Sequence, residues 1–146
     1  MIAAIEYFPA TQQDISAIFD LAKALVDQYE DKSLIDYPKV IAWINRKIEN
    51  NLSNYTCVCL NNHKVAYYSL SRCEDGYELD DFYVLPAYRG QEIGKKILEK
   101  CLADTQHQLF LYVFKSNYDA VSLYRRCGFE MAEQVSPTRM IMRCRS

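Results

Sequence analysis

Residues 80–98, "DDFYVLPAYRGQEIGKKIL", decide how this chain folds. The stretch starts as an apolar strand, stops at Pro86 and resumes as a helix carrying Lys95 and Lys96, with Arg89, Gly90, Gln91, Glu92, Ile93 and Gly94 between. A helix that starts directly after a tight turn leaves its first amides without intrahelical acceptors and turns the positive end of its dipole outward. Gly90 and Gly94 let a ligand approach the backbone, and Arg89, Lys95 and Lys96 add positive charge, so the expected guest is a phosphate or diphosphate. The spacing is neither a Walker loop nor a dinucleotide G-x-G-x-x-G.

The flanking sequence supplies a strand on either side of this turn. Downstream, residues 91–104 place Ile93, Ile97, Leu98, Cys101 and Leu102 on one helical face, and "QLFLYVFK" follows as a nearly continuous apolar run. Such a run suits a central strand covered on both faces and parallel to its predecessor, which gives a strand, helix, strand crossover. Upstream, "YTCVCL" and "KVAYYSLSR" flank the turn "NNH", and "EDG" leads into "YELDDFYVL". Together they read as an antiparallel meander. Leu79 and Phe82 stand three apart in its last strand, so a bulge is expected near Asp80 and Asp81.

Residues 2–8 read as a first strand, followed by two helices. Thr11 and Asp14 form a capping-box variant ahead of Ile15, Ile18, Phe19, Ala22, Leu25, Val26 and Tyr29. Pro38 sits in the first turn of the second helix, whose buried side is read as Ile41, Trp43, Ile44 and Ile48. Tyr29, Tyr37 and Trp43 are assigned to packing in preference to an acceptor pocket. "NYDAVSLYRRCG" is a further helix, capped by Asn117 or Ser116 and closed by Gly128, and "FEMAEQV" and "TRMIMRC" are the last strand pair.

Composition bounds the function. The chain has 146 residues, 50% apolar and 25% charged, and reads as one domain, residues 1–146. Its 17 basic and 19 acidic residues give a net charge of −2, which speaks against nucleic acid or an anionic membrane as partner. With no apolar run of spanning length and no basic leader, a cytoplasmic location is expected. The 6 cysteines form no C-x-x-C and no ligand-spaced set with histidine, so no metal is expected.

With these elements in place, "YVLPAYRGQEIGKKIL" resembles motif A of the GCN5-related N-acetyltransferase (GNAT) superfamily, whose loop reads Q/R-x-x-G-x-G/A. "NYDAVSLYRRCGFE" resembles that superfamily's motif B, N-x-x-A-x-x-L-Y-x-x-x-G-F. The resemblance implies an α/β fold with a six- or seven-stranded mixed sheet and four helices, splayed between strands 4 and 5, with acetyl-CoA in the splay. It implies that the backbone of Phe82, Tyr83 and Val84 pairs with the pantetheine arm and that the amides from Arg89 through Lys95 hold the diphosphate. Asn117 would bind pantetheine or its neighbouring phosphate region, Ala120 would leave room, and Tyr124 would lie beside the sulfur as general acid. Glu92 departs from the pattern by standing at its first glycine. Helical dihedrals at residue 92, with the carboxylate turned to water, would keep the amide available.

The reaction so implied is acetyl transfer to a primary amine. A lysine-like amine is only roughly one part in 2,500 free base at pH 7, so a base matters more than an acid for a thiolate leaving group. The carboxylates Glu78, Asp80 and Asp81 are candidate bases, with Glu78 favoured by the resemblance, and a water relay is an alternative. The acceptor is an amine-bearing small molecule or peptide, and a homodimer is the leaning for assembly. The competing class is a catalytically silent CoA-binding sensor or interaction module.

Overall fold

The computed structural model describes residues 4–144. Among these residues seven strands lie in the order β1-β2-β3-β4-β5-β7-β6. They are β1 (Ile5–Pro9), β2 (Tyr55–Leu60), β3 (His63–Cys73), β4 (Gly76–Val84), β5 (Leu109–Phe114), β6 (Phe129–Gln134) and β7 (Arg139–Cys144). The four α-helices among the described residues are α1 (Ile15–Tyr29), α2 (Tyr37–Asn50), α3 (Ile93–Asp104) and α4 (Tyr118–Arg126). The mixed sheet of seven strands with four helices is the class expected from the sequence. The expected first strand begins partly outside the described residues.

The chain forms two compact units. Of the described residues, one unit holds 4–69 together with Asp81–Leu85, and the other holds Leu70–Asp80 and 86–144. Strand β4 therefore passes from one unit to the other at the Asp80–Asp81 peptide bond.

In the first unit, β1 pairs antiparallel with β2, and β2 with β3. The capping box is present: Asp14 Oδ2 accepts from the Thr11 N–H at 2.8 Å and the Thr11 side chain accepts from the Asp14 N–H, which also donates to the Thr11 carbonyl at 2.8 Å. It opens a 3-10 turn over Gln12–Asp14 that runs into α1. Asp14, Ile18, Ala22 and Val26 are all buried at i, i+4 spacing, so a carboxylate heads the apolar row of α1. It is satisfied: Oδ1 accepts from Lys64 Nζ at 2.7 Å and from Tyr67 Oη at 2.8 Å. Helix α2 buries Ile44 and Ile48, but Trp43 is 55% exposed, which corrects its assignment to the buried side. Residues 43 and 44 stand about 100° apart on a helix, and only one of the two can face the core. Trp43 instead carries the Lys47 ammonium 5.1 Å from its ring centroid.

In the second unit, β4 runs parallel to β5 over Tyr77–Leu79 opposite Leu109–Leu111, as the crossover requires. Strand β5 is antiparallel to β7, and β7 to β6. Helix α3 is shorter than the sequence reading by Gln91 and Glu92, and its buried row is Ile93, Ile97, Leu98, Cys101 and Leu102. The expectation that β5 is covered on both faces holds for Leu109, Phe110, Leu111, Val113 and Phe114 but fails at Tyr112, which is 44% exposed. Asn117 caps α4, accepting the Ala120 N–H at 3.3 Å through Oδ1, and Gly128 follows its end at φ +94°.

Candidate functional site

The turn after β4 is where the anion was expected. Arg89 N–H reaches back to the Pro86 carbonyl at 3.4 Å, closing a 3-10 turn over Pro86–Tyr88. Gly90 follows at φ +79°, and a side chain there would meet nothing within 4 Å. The first α-helical bond of α3 runs from Lys96 N–H to the Glu92 carbonyl at 3.2 Å. The N–H groups of Ile93, Gly94 and Lys95 therefore lie ahead of any intrahelical acceptor, at the positive end of a 12-residue helix. Arg89, Gln91, Glu92, Lys95 and Lys96 are exposed around them, while Ile93 is buried and anchors the turn. Three amides, an open glycine and three cationic side chains fit a diphosphate by the chemistry of their donors.

Glu92 does not have the helical dihedrals expected of it. It is left-handed, at φ 65° and ψ 11°, and serves as the N-cap of α3. That conformation is one only glycine adopts without steric cost, which explains why the resembling pattern has glycine at this position. The side chain is exposed, so the expectation that it is solvated holds.

The three carboxylates near the end of β4 are sorted by the backbone. Glu78 sits opposite Phe110 in the β4–β5 ladder and is half-buried, as is Asp80. Asp81 is 7% exposed and adopts φ 46°, the bulge expected from the broken alternation. Its Oδ2 accepts from Tyr55 Oη at 2.6 Å and lies 3.1 Å from Lys47 Nζ, while Oδ1 accepts from Tyr83 Oη at 2.7 Å. Three donors thus converge on the Asp81 carboxylate. Tyr55 and Lys47 were not recognised from sequence. The one signal was a tyrosine opening an otherwise apolar buried strand, where its hydroxyl needs a partner.

Phe82, Tyr83 and Val84 continue β4 beyond the bulge and are half-buried, and Leu85 N–H donates to the Val65 carbonyl at 2.8 Å. In the other unit, Tyr124 is 8% exposed, its ring 5.8 Å from that of Phe129. Burial pushes its hydroxyl above the ordinary phenol range, and the negative charge of Asp80, then Cys127, adds to the rise. The structure thus brings Tyr124 and Asp80 within electrostatic reach of each other. Cys127 also feels Glu99 and Lys95, which sets the end of α4 within range of the first turns of α3. With Asn117 Oδ1 engaged in capping, its amide nitrogen is the group suited to a ligand. Ala120 is half-buried one helical turn ahead of Tyr124.

A polar cavity of about 260 Å³ lined by Arg72, Tyr77, Asp104, Gln106 and Gln108 contains none of these residues apart from the strand start they share. Among the described residues no helix is long and apolar enough to cross a membrane.

The stretch of chain that holds these parts, from β4 to α4, lies within the match of a family model. The model described as the acetyltransferase (GNAT) family covers residues 17–129. This chain belongs to the GNAT family. It is 30% identical over 100 residues to an uncharacterized protein of Mycobacterium leprae (strain TN), a match covering 65% of this chain and 28% of that one. It is 26% identical over 87 residues to a putative ribosomal protein bS18 alanine N-acetyltransferase of Bacillus subtilis (strain 168), covering 57% of this chain and 58% of that one. The chain thus spans less than two thirds of either relative's length. Among solved structures, the Paia N-acetyltransferase of Thermoplasma acidophilum in complex with coenzyme A superposes with a TM-score of 0.73 at 19% identity, over 98% of this chain and 99% of that one. The ribosomal-protein-S18-alanine N-acetyltransferase of Escherichia coli gives 0.65 at 18% identity, over 97% and 93%. At these identities the superpositions show a common GNAT fold.

Proposed function

We propose that this GNAT chain is an acetyl-CoA-dependent N-acetyltransferase, residues 1–146 forming one catalytic domain that moves an acetyl group directly to a primary amine. The observation that carries the proposal is the start of α3, where the Ile93, Gly94 and Lys95 amides precede the first intrahelical bond beside Arg89 and Gly90.

Those amides hold the diphosphate, with the Arg89, Gln91 and Glu92 backbone completing the turn. The peptide groups of Phe82, Tyr83 and Val84 align the pantetheine arm. The Asn117 amide donates to the same arm, and the small side chain of Ala120 leaves it room. Acetyl-CoA supplies a thioester whose carbonyl carbon an amine can attack.

Glu78 or Asp80, directly or through water, takes the proton that the attacking amine must lose. Tyr124 keeps its proton at physiological pH because of burial and the Asp80 charge, and so offers it to the departing sulfur. A raised phenol is a weak acid, which makes its contribution modest beside that of the base.

The acceptor is a small molecule or peptide bearing an amine. The Bacillus subtilis and Escherichia coli proteins are named for an alanine amine of a ribosomal protein. A peptide α-amine, with a pKa of about 7.7–8.0, is roughly a tenth free base at pH 7 and needs far less help than a lysine side chain. That chemistry suits a site whose candidate bases are half-buried carboxylates.

Calorimetry with acetyl-CoA, followed by thiol release across peptide α-amines, lysine-like amines and polyamines, tests the proposal. Binding with turnover on at least one class is expected. Binding without turnover on any of them identifies a silent CoA-binding module, and no binding overturns the coenzyme assignment.

A further inference from the structure

We infer that Asp81 is a positioning residue: its carboxylate, clamped by Tyr55, Tyr83 and Lys47, holds the kink in β4 that aims the Phe82–Val84 peptide groups at the coenzyme. The inference rests on the coenzyme reading above.

Three observations along β4 and on the side chain of Asp81 carry it. Asp81 has φ 46° inside a nine-residue strand, where every neighbour should be extended. A left-handed non-glycine residue costs about 1–2 kcal/mol and persists only where its surroundings overdetermine it. The surroundings do so. Tyr55 Oη donates to Oδ2 at 2.6 Å from β2, Tyr83 Oη donates to Oδ1 at 2.7 Å from two residues along the same strand, and Lys47 Nζ lies 3.1 Å from Oδ2 from α2. Helix α2, strand β2 and β4 itself thus converge on a single side chain. The third observation is the burial pattern of β4. Leu79 and Asp81 are buried with Asp80 half-buried between them, and beyond Asp81 the alternation stops, with Phe82, Tyr83 and Val84 all half-buried.

The bulge sits between a candidate base, Asp80, and the strand proposed for pantetheine. Extended dihedrals at residue 81 would restore regular alternation and reorient every peptide group from Phe82 to Val84. Asp suits the position for two reasons. Its short polar side chain tolerates the left-handed region better than most, and only a carboxylate offers two oxygens that both accept. Tyr83 closes the smallest loop of the clamp, and Lys47 is steadied by the Trp43 face.

Three variants separate positioning from plain stability. Asp81→Asn keeps the shape and the backbone tolerance but has one acceptor oxygen in place of two. Tyr55→Phe and Lys47→Met each remove one donor and leave β4 untouched, so a folded variant is available even if Asp81→Asn is not. The readouts are acetyl-CoA affinity by calorimetry, the kcat and KM split per folded molecule, and amide exchange of Phe82–Val84 in coenzyme-free protein.

We expect Asp81→Asn to weaken acetyl-CoA about tenfold and Tyr55→Phe about threefold, with acceptor KM changed less than twofold. Exchange at Phe82–Val84 should quicken while exchange in α3 and β5 stays as in the wild type. The double variant Asp81→Asn with Tyr55→Phe should be no weaker than Asp81→Asn alone, because both act on one clamp. Lower thermal stability with unchanged affinity and unchanged exchange at Phe82–Val84 would overturn the inference. Wild-type protein that fails to bind acetyl-CoA sinks the coenzyme reading, and the positioning role with it. The exchange measurement alone then decides whether Asp81 anchors the kink.

Discussion

Lys96 donates its backbone N–H to the Glu92 carbonyl at 3.2 Å, so α3 begins on a left-handed glutamate. The helix dipole and three free-ended amides start immediately after a residue whose backbone favours glycine. Glu92→Gly should therefore change acetyl-CoA affinity by less than about tenfold, roughly 1.4 kcal/mol, because an exposed carboxylate is largely screened. Stability should shift by less than about 1 kcal/mol, since relief of the left-handed strain is offset by the freedom glycine adds to the unfolded chain. Calorimetry and thermal melts read both. A gain in affinity well beyond tenfold would show that the carboxylate faces the phosphates.

Tyr124→Phe should lower kcat at least about tenfold and leave acetyl-CoA affinity within about twofold, since the ring remains packed beside Phe129. Its hydroxyl is held above the ordinary phenol range by burial and by Asp80. The kcat profile should thus show no loss from tyrosine ionisation below about pH 10. Asp80→Asn should bring that ionisation down towards the ordinary value, which spectrophotometric titration of the phenol would detect. An unchanged titration in Asp80→Asn would separate the two residues.

Acid should weaken the first unit through Asp14 and Asp27. Burial opposes the charge on Asp14, but Lys64, the Thr11 N–H and Tyr67 outweigh it and hold the carboxyl below its ordinary range. Asp27 is lowered to about 2 by Tyr37, which donates at 2.5 Å, and then by Lys23. Both groups bind fewer protons folded than unfolded. The stability they contribute is present above the unfolded value of about 3.9 and is lost as pH falls through the folded one. Urea melts should show stability falling between about pH 4 and pH 2, with a shallower slope in Asp14→Asn.

Two glycines with positive φ should respond differently to alanine. At Gly76, φ +125°, an added Cβ would stand 2.6 Å from the Gln108 carbonyl oxygen, the same oxygen that accepts the Tyr77 N–H at 2.8 Å. Gly76→Ala should cost about 3 kcal/mol by denaturant melt, because backbone strain and a backbone clash add. Gly90, with nothing within 4 Å, should lose only the left-handed penalty of about 1 kcal/mol. Equal losses at both positions would show that the Gln108 clash is relieved by movement of the strand.

Much of the site was legible because its signals are local. Turn chemistry after Pro86, the cap at Asn117, the glycine at 128 and the missing alternation at Asp81 are all set within a few residues of chain. Trp43 was misplaced because a tryptophan beside Ile44 at helical spacing gives no sign of which neighbour faces the core. The left-handed backbone of Glu92 is not legible, because the sequence shows which residue stands at a position, not the φ that the turn before it imposes.

The order of strands and helices, the amide-rich start of α3 and the kinship of the two motifs follow from the sequence alone, since hydrophobic period and capping are properties of neighbouring residues. Only the folded chain decided that Asp81 is held by Tyr55 from 26 residues away, and that Asp80, next to it, instead acts on Tyr124. Long-range partners are chosen by which side chains the packed backbone brings within hydrogen-bond reach, and nothing in the spacing of a lone tyrosine or lysine encodes that distance.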